Sequence, residues 1–426
     1  MTVWGRSKWS AQLFLKTLLA FSCFVASSAL TGCRMTENTN APSSSNSITE
    51  NTQPAADTHN RLITIDMHAD TAQRLLDENI DLNLRLPNGH LDVVRMREGK
   101  LDAQFFAVWV EPQFYGANGV RAVERADKQI AAVRALAERH PETWTLATSA
   151  EDVRRAAREG KLAALIGLEG GYAIDEKLES IEKYYRAGVR YISPTWSVSL
   201  SWAGSSGDAV GQTRGLNDFG RSIIREMNRL GIIVDVSHVS DKTFRDIIET
   251  STKPVIATHS GARAITNHPR NLDDDQLRAL ARTGGVACIV FYPAFIEPGW
   301  DAKKLQVDRE IASLVDAASA NTPGNPSQKR MARDRVREQE YARRLPSVSV
   351  ARVADHIEHV VRVAGIDAVG LGSDFDGIQA VPRDLASVAD FPNLAAELRR
   401  RGYSETDIAK IFGGNMLRVM EATGRN

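Results

Sequence analysis

The sequence is poor in cysteine. Its 426 residues hold three, Cys23, Cys33 and Cys288, too few for a disulfide-dense scaffold. It has no surplus of charge of either sign, with 53 basic and 53 acidic side chains, which argues against a general nucleic-acid or anionic-surface binder. Its one strongly apolar stretch, "LFLKTLLAFSCFVASSAL" (13–30), is short and interrupted by Lys16, a poor spanning helix. The motifs HExxH, CxxC and GxSxG are missing. The glycines of "GLGSDFDG" follow no nucleotide-binding pattern, since no helix start with a third spaced glycine comes after them. No internal repeat is present.

What is present begins with a processing signal. Residues 1–33 carry Arg6, Lys8 and Lys16 and no acid, and removing them leaves 50 basic against 53 acidic groups, or −3. A basic start, an apolar core and the ending "LTGC" resemble the lipobox of bacterial lipoproteins, with Cys33 as the lipid-carrying residue. The expectation is a chain held to the cell envelope by a lipid on Cys33. Arg34, in place of aspartate, favours the periplasmic side of the outer membrane. Residues 34–60 are rich in Ser, Thr, Asn and Pro, bury too little to fold, and read as a tether. Cys23 falls in the signal and Cys288, in "GGVACIVFY", reads as a small buried hydrophobe, so no disulfide pair remains. The folded domain is expected over 61–426.

Eight segments in that domain read as strands: 61–68, 101–110, 161–169, 189–196, 231–238, 254–259, 284–292 and 366–374. Most are near-continuous apolar runs, as in parallel strands covered on both faces. Helical patterns alternate with them, several ending in glycine just before the next strand. Eight alternations predict an α/β fold of the (β/α)8 TIM-barrel type. An open doubly wound sheet is the nearest alternative. Residues 297–350 are long and charged, and predict a helical insertion before the last strand whose charge is a solvated face.

The ends of these strands carry metal-ligand residue types: His68 and Asp70, Glu169, His238, His259 and Asp374. In a barrel such ends share one rim, where catalytic groups collect. Histidine nitrogens and carboxylates without a thiol suit zinc, manganese or cobalt. Five ligands exceed the needs of one tetrahedral ion and fit two ions sharing a carboxylate, with a hydroxide held between them. Asp374 is the candidate to move the proton. In "ITIDMHADT", Asp66, His68 and Asp70 alternate, and Asp66 reads as structural or as a group orienting a ligand. Asp376 is an equal choice between those roles. His356 and His359 read as a surface or capping pair, His90 and His140 as turn residues, and His268 as a loop residue near the mouth.

"DMHAD", "GLEGG", "GIIVDVSHVSD", "PVIATHSGARAITNHPRN" and "GLGSDFDG" together resemble the membrane (renal) dipeptidase family of zinc peptidases, from about Ile63 to the C-terminus. The resemblance implies an amidohydrolase-like barrel, two Zn2+ per chain and dipeptide substrates. It implies that His68 and Asp70 bind one zinc, that His238 and His259 bind the other, and that Glu169 bridges them. It makes Asp374 the acid/base and Arg270 the holder of the substrate's C-terminal carboxylate, a match for a guanidinium fork. A homodimer is compatible with it. One position departs: where many members read "LTH" at the end of the fourth strand, this chain reads "SPTW", so Trp196 replaces the histidine that contacts the substrate carbonyl. An indole donates one hydrogen bond and carries no charge. Tyr292 is expected to line the pocket. Two other functions stay open: a metal-dependent hydrolase of another small amide or lactam, and a lipoprotein that binds metal without turnover.

Overall fold

The computed structural model describes residues 62–116 and 120–424. The expected signal segment, the tether and the lipid site Cys33 lie outside the described residues. Nine strands form one parallel sheet: β1 (Ile65–Ala69), β2 (Ala103–Trp109), β3 (Trp144–Leu146), β4 (Leu162–Glu169), β5 (Val189–Ser193), β6 (Ile233–Asp235), β7 (Val255–Ser260), β8 (Val286–Ile289) and β9 (Val369–Leu371). Eight follow the order β1-β2-β4-β5-β6-β7-β8-β9, and the short β3 adds to the side of β4. The ring closes between β1 and the segment after β9, by a parallel bridge between Ala69 and Phe375 and by the bonds Asp70 N to Phe375 O (2.8 Å) and Asp374 N to His68 O (3.0 Å). The fold is the (β/α)8 barrel. All eight expected strands are there. The ninth, β3, escapes a pattern reading because only Trp144 of its three residues is fully buried.

Helices that follow the strands cover the outside with an apolar stripe. The helix Asp218–Leu230 buries Ile223, Ile224, Met227 and Leu230, is capped by the Asn217 side chain, and stops at Gly231 with φ 84°, a left-handed turn that glycine makes at no steric cost. Inside the barrel, facing residues interdigitate. A Cβ on Gly167 would lie 1.9 Å from the Tyr191 ring, so the absence of a side chain there is what lets Tyr191 fill the interior beside Phe105 (ring centroids 5.3 Å apart). Cys288 is fully buried.

Two register shifts govern the site. Asp66 pairs with Gln104 and Ala69 with Phe106, so Met67 and His68 share the space opposite one residue, Phe105. Ala257 pairs with Ala287 and Ser260 with Ile289, so Thr258 and His259 do the same opposite Cys288. Such a bulge re-aims side chains. It breaks the alternation expected in "ITIDMHADT": Asp66 belongs to the other face from His68, turned to the seam rather than to the mouth.

Between β8 and β9 the chain makes two long helices, Trp300–Asn321 and Pro326–Arg344. The second starts with a capping box between Asn325 and Gln328 and with Pro326 in the first turn. It docks on the mouth: Ser327 Oγ donates to Glu111 Oε1 (3.0 Å), Arg330 to Gln73 Oε1, and Arg335 pairs with Glu78 (3.5 Å). The expectation that this segment's charge is solvated is therefore corrected, because one face of the helix lies against the barrel. After β9 the helices Phe391–Arg400, Glu405–Ala409 and Asn415–Thr423 pack on the wall. Among the described residues no helix is long and apolar enough to cross a membrane.

Candidate metal centre

Glu169 ends β4 and sits at the middle of the mouth, almost fully buried. Its two oxygens face different partners. Oε2 lies 3.3 Å from His68 Nε2, and Oε1 lies 2.8 Å from His238 Nε2 and 3.6 Å from His259 Nε2. Asp70 Oδ2 is 3.8 Å from His68 Nε2, and the two Nε2 atoms of His238 and His259 are 3.0 Å apart. Ligand atoms of His68, Asp70 and Glu169 fall within 4.8 Å of one another. So do those of Glu169, His238 and His259, and those of His68, His259 and Asp374.

The residues fit a metal site. His68 Nε2 is buried and makes no hydrogen bond, while its Nδ1 faces Tyr191 OH at 3.0 Å and Thr258 Oγ1 at 3.4 Å. That arrangement fixes the ring and leaves Nε2 for a ligand role. His259 is held the same way, with Nδ1 2.9 Å from Thr258 Oγ1. Burial, then Arg270, lowers His238 to about 4. Burial, then the charge of His68, lowers His259 as well. Both rings are thus neutral, as metal ligands must be. Burial acts to lower the pKa of His68, yet Glu169, Asp70 and Asp374 raise it to about 10. The carboxylates call for positive charge at this point, which a divalent cation supplies to a neutral imidazole.

Buried polar groups below the rim hold these side chains. Asp235, fully buried at the end of β6, accepts from Ser237 N (2.9 Å), Thr258 N (2.8 Å) and Thr258 Oγ1 (2.8 Å), and from Ser193 Oγ. It ties β5, β6 and β7 together directly beneath His238 and His259. Asp66 accepts from Ser373 N (2.8 Å) and Ser373 Oγ (2.6 Å) and so places the residue before Asp374. His238, Asp374 and Asp376 all have left-handed backbones, with φ of 70°, 65° and 63°, a conformation that costs non-glycine residues on the order of 1 kcal/mol or more and that surrounding bonds must enforce. Asp376 is enforced by Thr71 Oγ1 (2.6 Å), His90 N (2.9 Å) and Arg74 (3.5 Å). His90 is therefore more than a turn residue. His356 is not at the surface: it is fully buried, its Nδ1 accepting from Ala262 N (2.9 Å) and its Nε2 3.0 Å from Ile296 O. His359 is also mostly buried, 2.7 Å from Asp274. Cutting one of these supports gives a graded effect. Tyr191→Phe removes a partner of His68 Nδ1 and leaves Thr258. Metal affinity, measured by competition with a chromogenic chelator, is expected to fall about tenfold, the low end for a lost ligand-orienting bond.

The centre opens into a cavity of about 590 Å³, lined also by Trp109, Trp196, His268, Arg270, Tyr292, Arg330 and Arg337, a size that admits a small ligand. Asp374 is half-buried and also lines it. Burial, and then Glu169, push its carboxyl up to about 7 against His68 and Arg270. Arg270 is buried. One nitrogen donates to His259 O (3.2 Å), while Nε and Nη1 have no partner, and burial lowers it to about 10. Trp196 packs 4.8 Å from Trp109 and 6.2 Å from His238. Tyr292 stacks edge-on against Phe295 (5.0 Å).

Sequence reasoning missed Asp235, Tyr191, Ser373 and Arg330. Asp235 alone left a signal, an acid inside the apolar "GIIVDVSH". Comparison with known proteins agrees with the geometry. A family model described as membrane dipeptidase (peptidase family M19) matches residues 52–426. Among solved structures, the chain is similar to the probable dipeptidase PvdM from Pseudomonas aeruginosa, at 27% identity and TM-score 0.73, over 86% of this chain and 96% of that one. It is similar to a metallo peptidase from Rhodobacter sphaeroides liganded with a phosphinate mimic of the dipeptide L-Ala-D-Ala, at 26% identity and TM-score 0.69, over 85% and 99%.

Proposed function

Since this chain belongs to the membrane dipeptidase family and is a metal-dependent dipeptidase, we propose that it works with two zinc ions, one of which would be held by His68, Asp70 and Glu169 and the other by Glu169, His238 and His259. The observation that carries this reading is the Glu169 carboxylate, whose oxygens face two separate groups of donors. When bound, the ions supply Lewis acidity and make water acidic enough to serve as a nucleophile at neutral pH.

The chain's own side chains do the rest. Arg270 is buried on the cavity wall with Nε and Nη1 unpartnered, and a charge-assisted bond to a carboxylate would give these donors a partner. We assign it the C-terminal carboxylate of the dipeptide. Asp374 takes a proton from the attacking water and passes it to the nitrogen of the departing residue. Trp196 and Trp109 form an apolar wall, and Tyr292 with Phe295 forms another. At Trp196 no cationic side chain faces the substrate, so the carbonyl contact made by histidine in other members is at most one neutral indole bond. The phosphinate mimic bound by the Rhodobacter sphaeroides peptidase supports including L-D dipeptides among the substrates. The lipobox-like "LTGC" supports an envelope enzyme anchored through Cys33.

Metal analysis of the full chain, with a panel of L-L and L-D dipeptides, tests the reading. The expected result is two divalent ions per chain and turnover that a chelator abolishes and zinc restores. Turnover indifferent to chelation, or one ion in a fully active chain, would overturn it.

A further inference from the structure

The mouth carries more positive charge than the reaction described above uses. Arg330 and Arg337, on one face of the helix Pro326–Arg344, both line the cavity. Between them stands a single carboxylate: Arg330 Nη1 meets Asp334 Oδ2 at 3.0 Å, and Arg337 Nη1 meets Asp334 Oδ1 at 2.8 Å. The trio keeps one net positive charge. Arg330 Nε is buried and has no partner, and its guanidinium lies 5.7 Å from the Trp109 ring centre. The Gln73 amide oxygen fixes the far end of the group, and Ser327 pins the helix to Glu111, so the charge is held in place over the cavity.

Its position tells which part of a substrate it meets. Arg330 bonds Gln73, three residues past Asp70, and so stands at the His68 and Asp70 end of the centre. Arg270 bonds the carbonyl of His259 and stands at the opposite end, with His238 and His259. A dipeptide whose C-terminal carboxylate lies on Arg270 therefore extends its N-terminal residue toward Arg330 and Arg337. We propose that these two arginines select dipeptides whose N-terminal residue has an acidic side chain. Asp334 aligns both guanidinium groups and neutralises only one of them, leaving donors for an incoming carboxylate. This rests on the dipeptidase reading above and adds its substrate class.

The test compares L-Glu-L-Ala with the isosteric neutral L-Gln-L-Ala on the zinc-loaded full chain. Wild type is expected to favour the acidic dipeptide by about tenfold or more in kcat/KM, mostly through KM, as suits a charge-assisted contact. The double variant Arg330→Gln with Arg337→Gln should lose most of that ratio. Arg337→Glu should turn preference toward L-Lys-L-Ala. Arg343→Gln, which alters an exposed charge of the same helix paired with Glu340, should leave the ratio unmoved. Equal kcat/KM for the two dipeptides in wild type, or a preference that survives the double variant, overturns the proposal. Absence of turnover with every dipeptide, alongside tighter calorimetric binding of the acidic one that the double variant abolishes, would overturn the dipeptidase reading and keep the arginine wall.

Discussion

Glu169→Gln is expected to strip metal from the chain and lower kcat/KM by a factor on the order of 10³. The substitution keeps the volume and removes the charge. A carboxylate offers an anionic oxygen to each side, whereas an amide offers one neutral oxygen and an NH2 that cannot ligate. Here the two sides are distinct: Oε2 faces His68, and Oε1 faces His238 and His259. Burial works to raise the Glu169 carboxyl, but His68 and His238 hold it well below the usual carboxylate range, so the native group is ionised and ready to bridge. Removing one partner from a buried charged cluster costs about 3–5 kcal/mol, or roughly two to four powers of ten. Elemental analysis should show less than half the wild-type metal. The rise in melting temperature on adding zinc, which scales with binding to the folded state, should shrink in parallel. Normal metal content together with normal turnover would sink the bridging role.

Asp374→Asn should behave differently. A general acid/base contributes about 10²–10⁴-fold, so kcat is expected to fall within that range while KM changes little. Asp374 lies near His68 and His259, and metal counting separates its two conceivable roles. Metal content close to wild type with kcat depressed marks a proton carrier. Loss of metal in step with activity marks a ligand. Unaltered kcat removes Asp374 from the chemistry. The amide fits the same space and still meets the bonds that set the φ of 65° at this residue, so misfolding is not a competing cause.

Much of this was legible from the chain, for physical reasons that differ by residue. Parallel strands buried on both faces must be apolar throughout, so β4, "LAALIGLE", announces itself, and the one acid at its end is conspicuous. The same logic exposes His238 and His259. It fails where geometry departs from period two. Asp66 and His68 are two apart and look equivalent, yet the extra residue opposite Phe105 puts them on different faces, and only pairing register reveals that. It fails again for Arg330. Fully exposed helices and helices with one charged face turned to a polar cavity have the same composition, and nothing local in "PSQKRMARDRVREQEYARR" separates them. Tyr191 and Gly167 illustrate a third limit, since a large residue and an absent side chain become complementary only once two strands are adjacent.

The seam that closes the barrel also has a bearing on how the chain folds. Asp66 and Ser373 are 307 positions apart, and the bonds between them both join the ring and set Asp374 in place. Contacts of such separation are slow to form, because loop closure comes before any reward. During synthesis His68, Glu169, His238 and His259 all emerge more than a hundred residues ahead of Asp374. A growing chain thus brings together the groups assigned to the metal while it still lacks Asp374, the carboxylate to which the proton transfer is assigned. If Asp374 carries the proton as proposed, catalytic competence arrives last, with the final strand, and a chain cut short before β9 lacks that group.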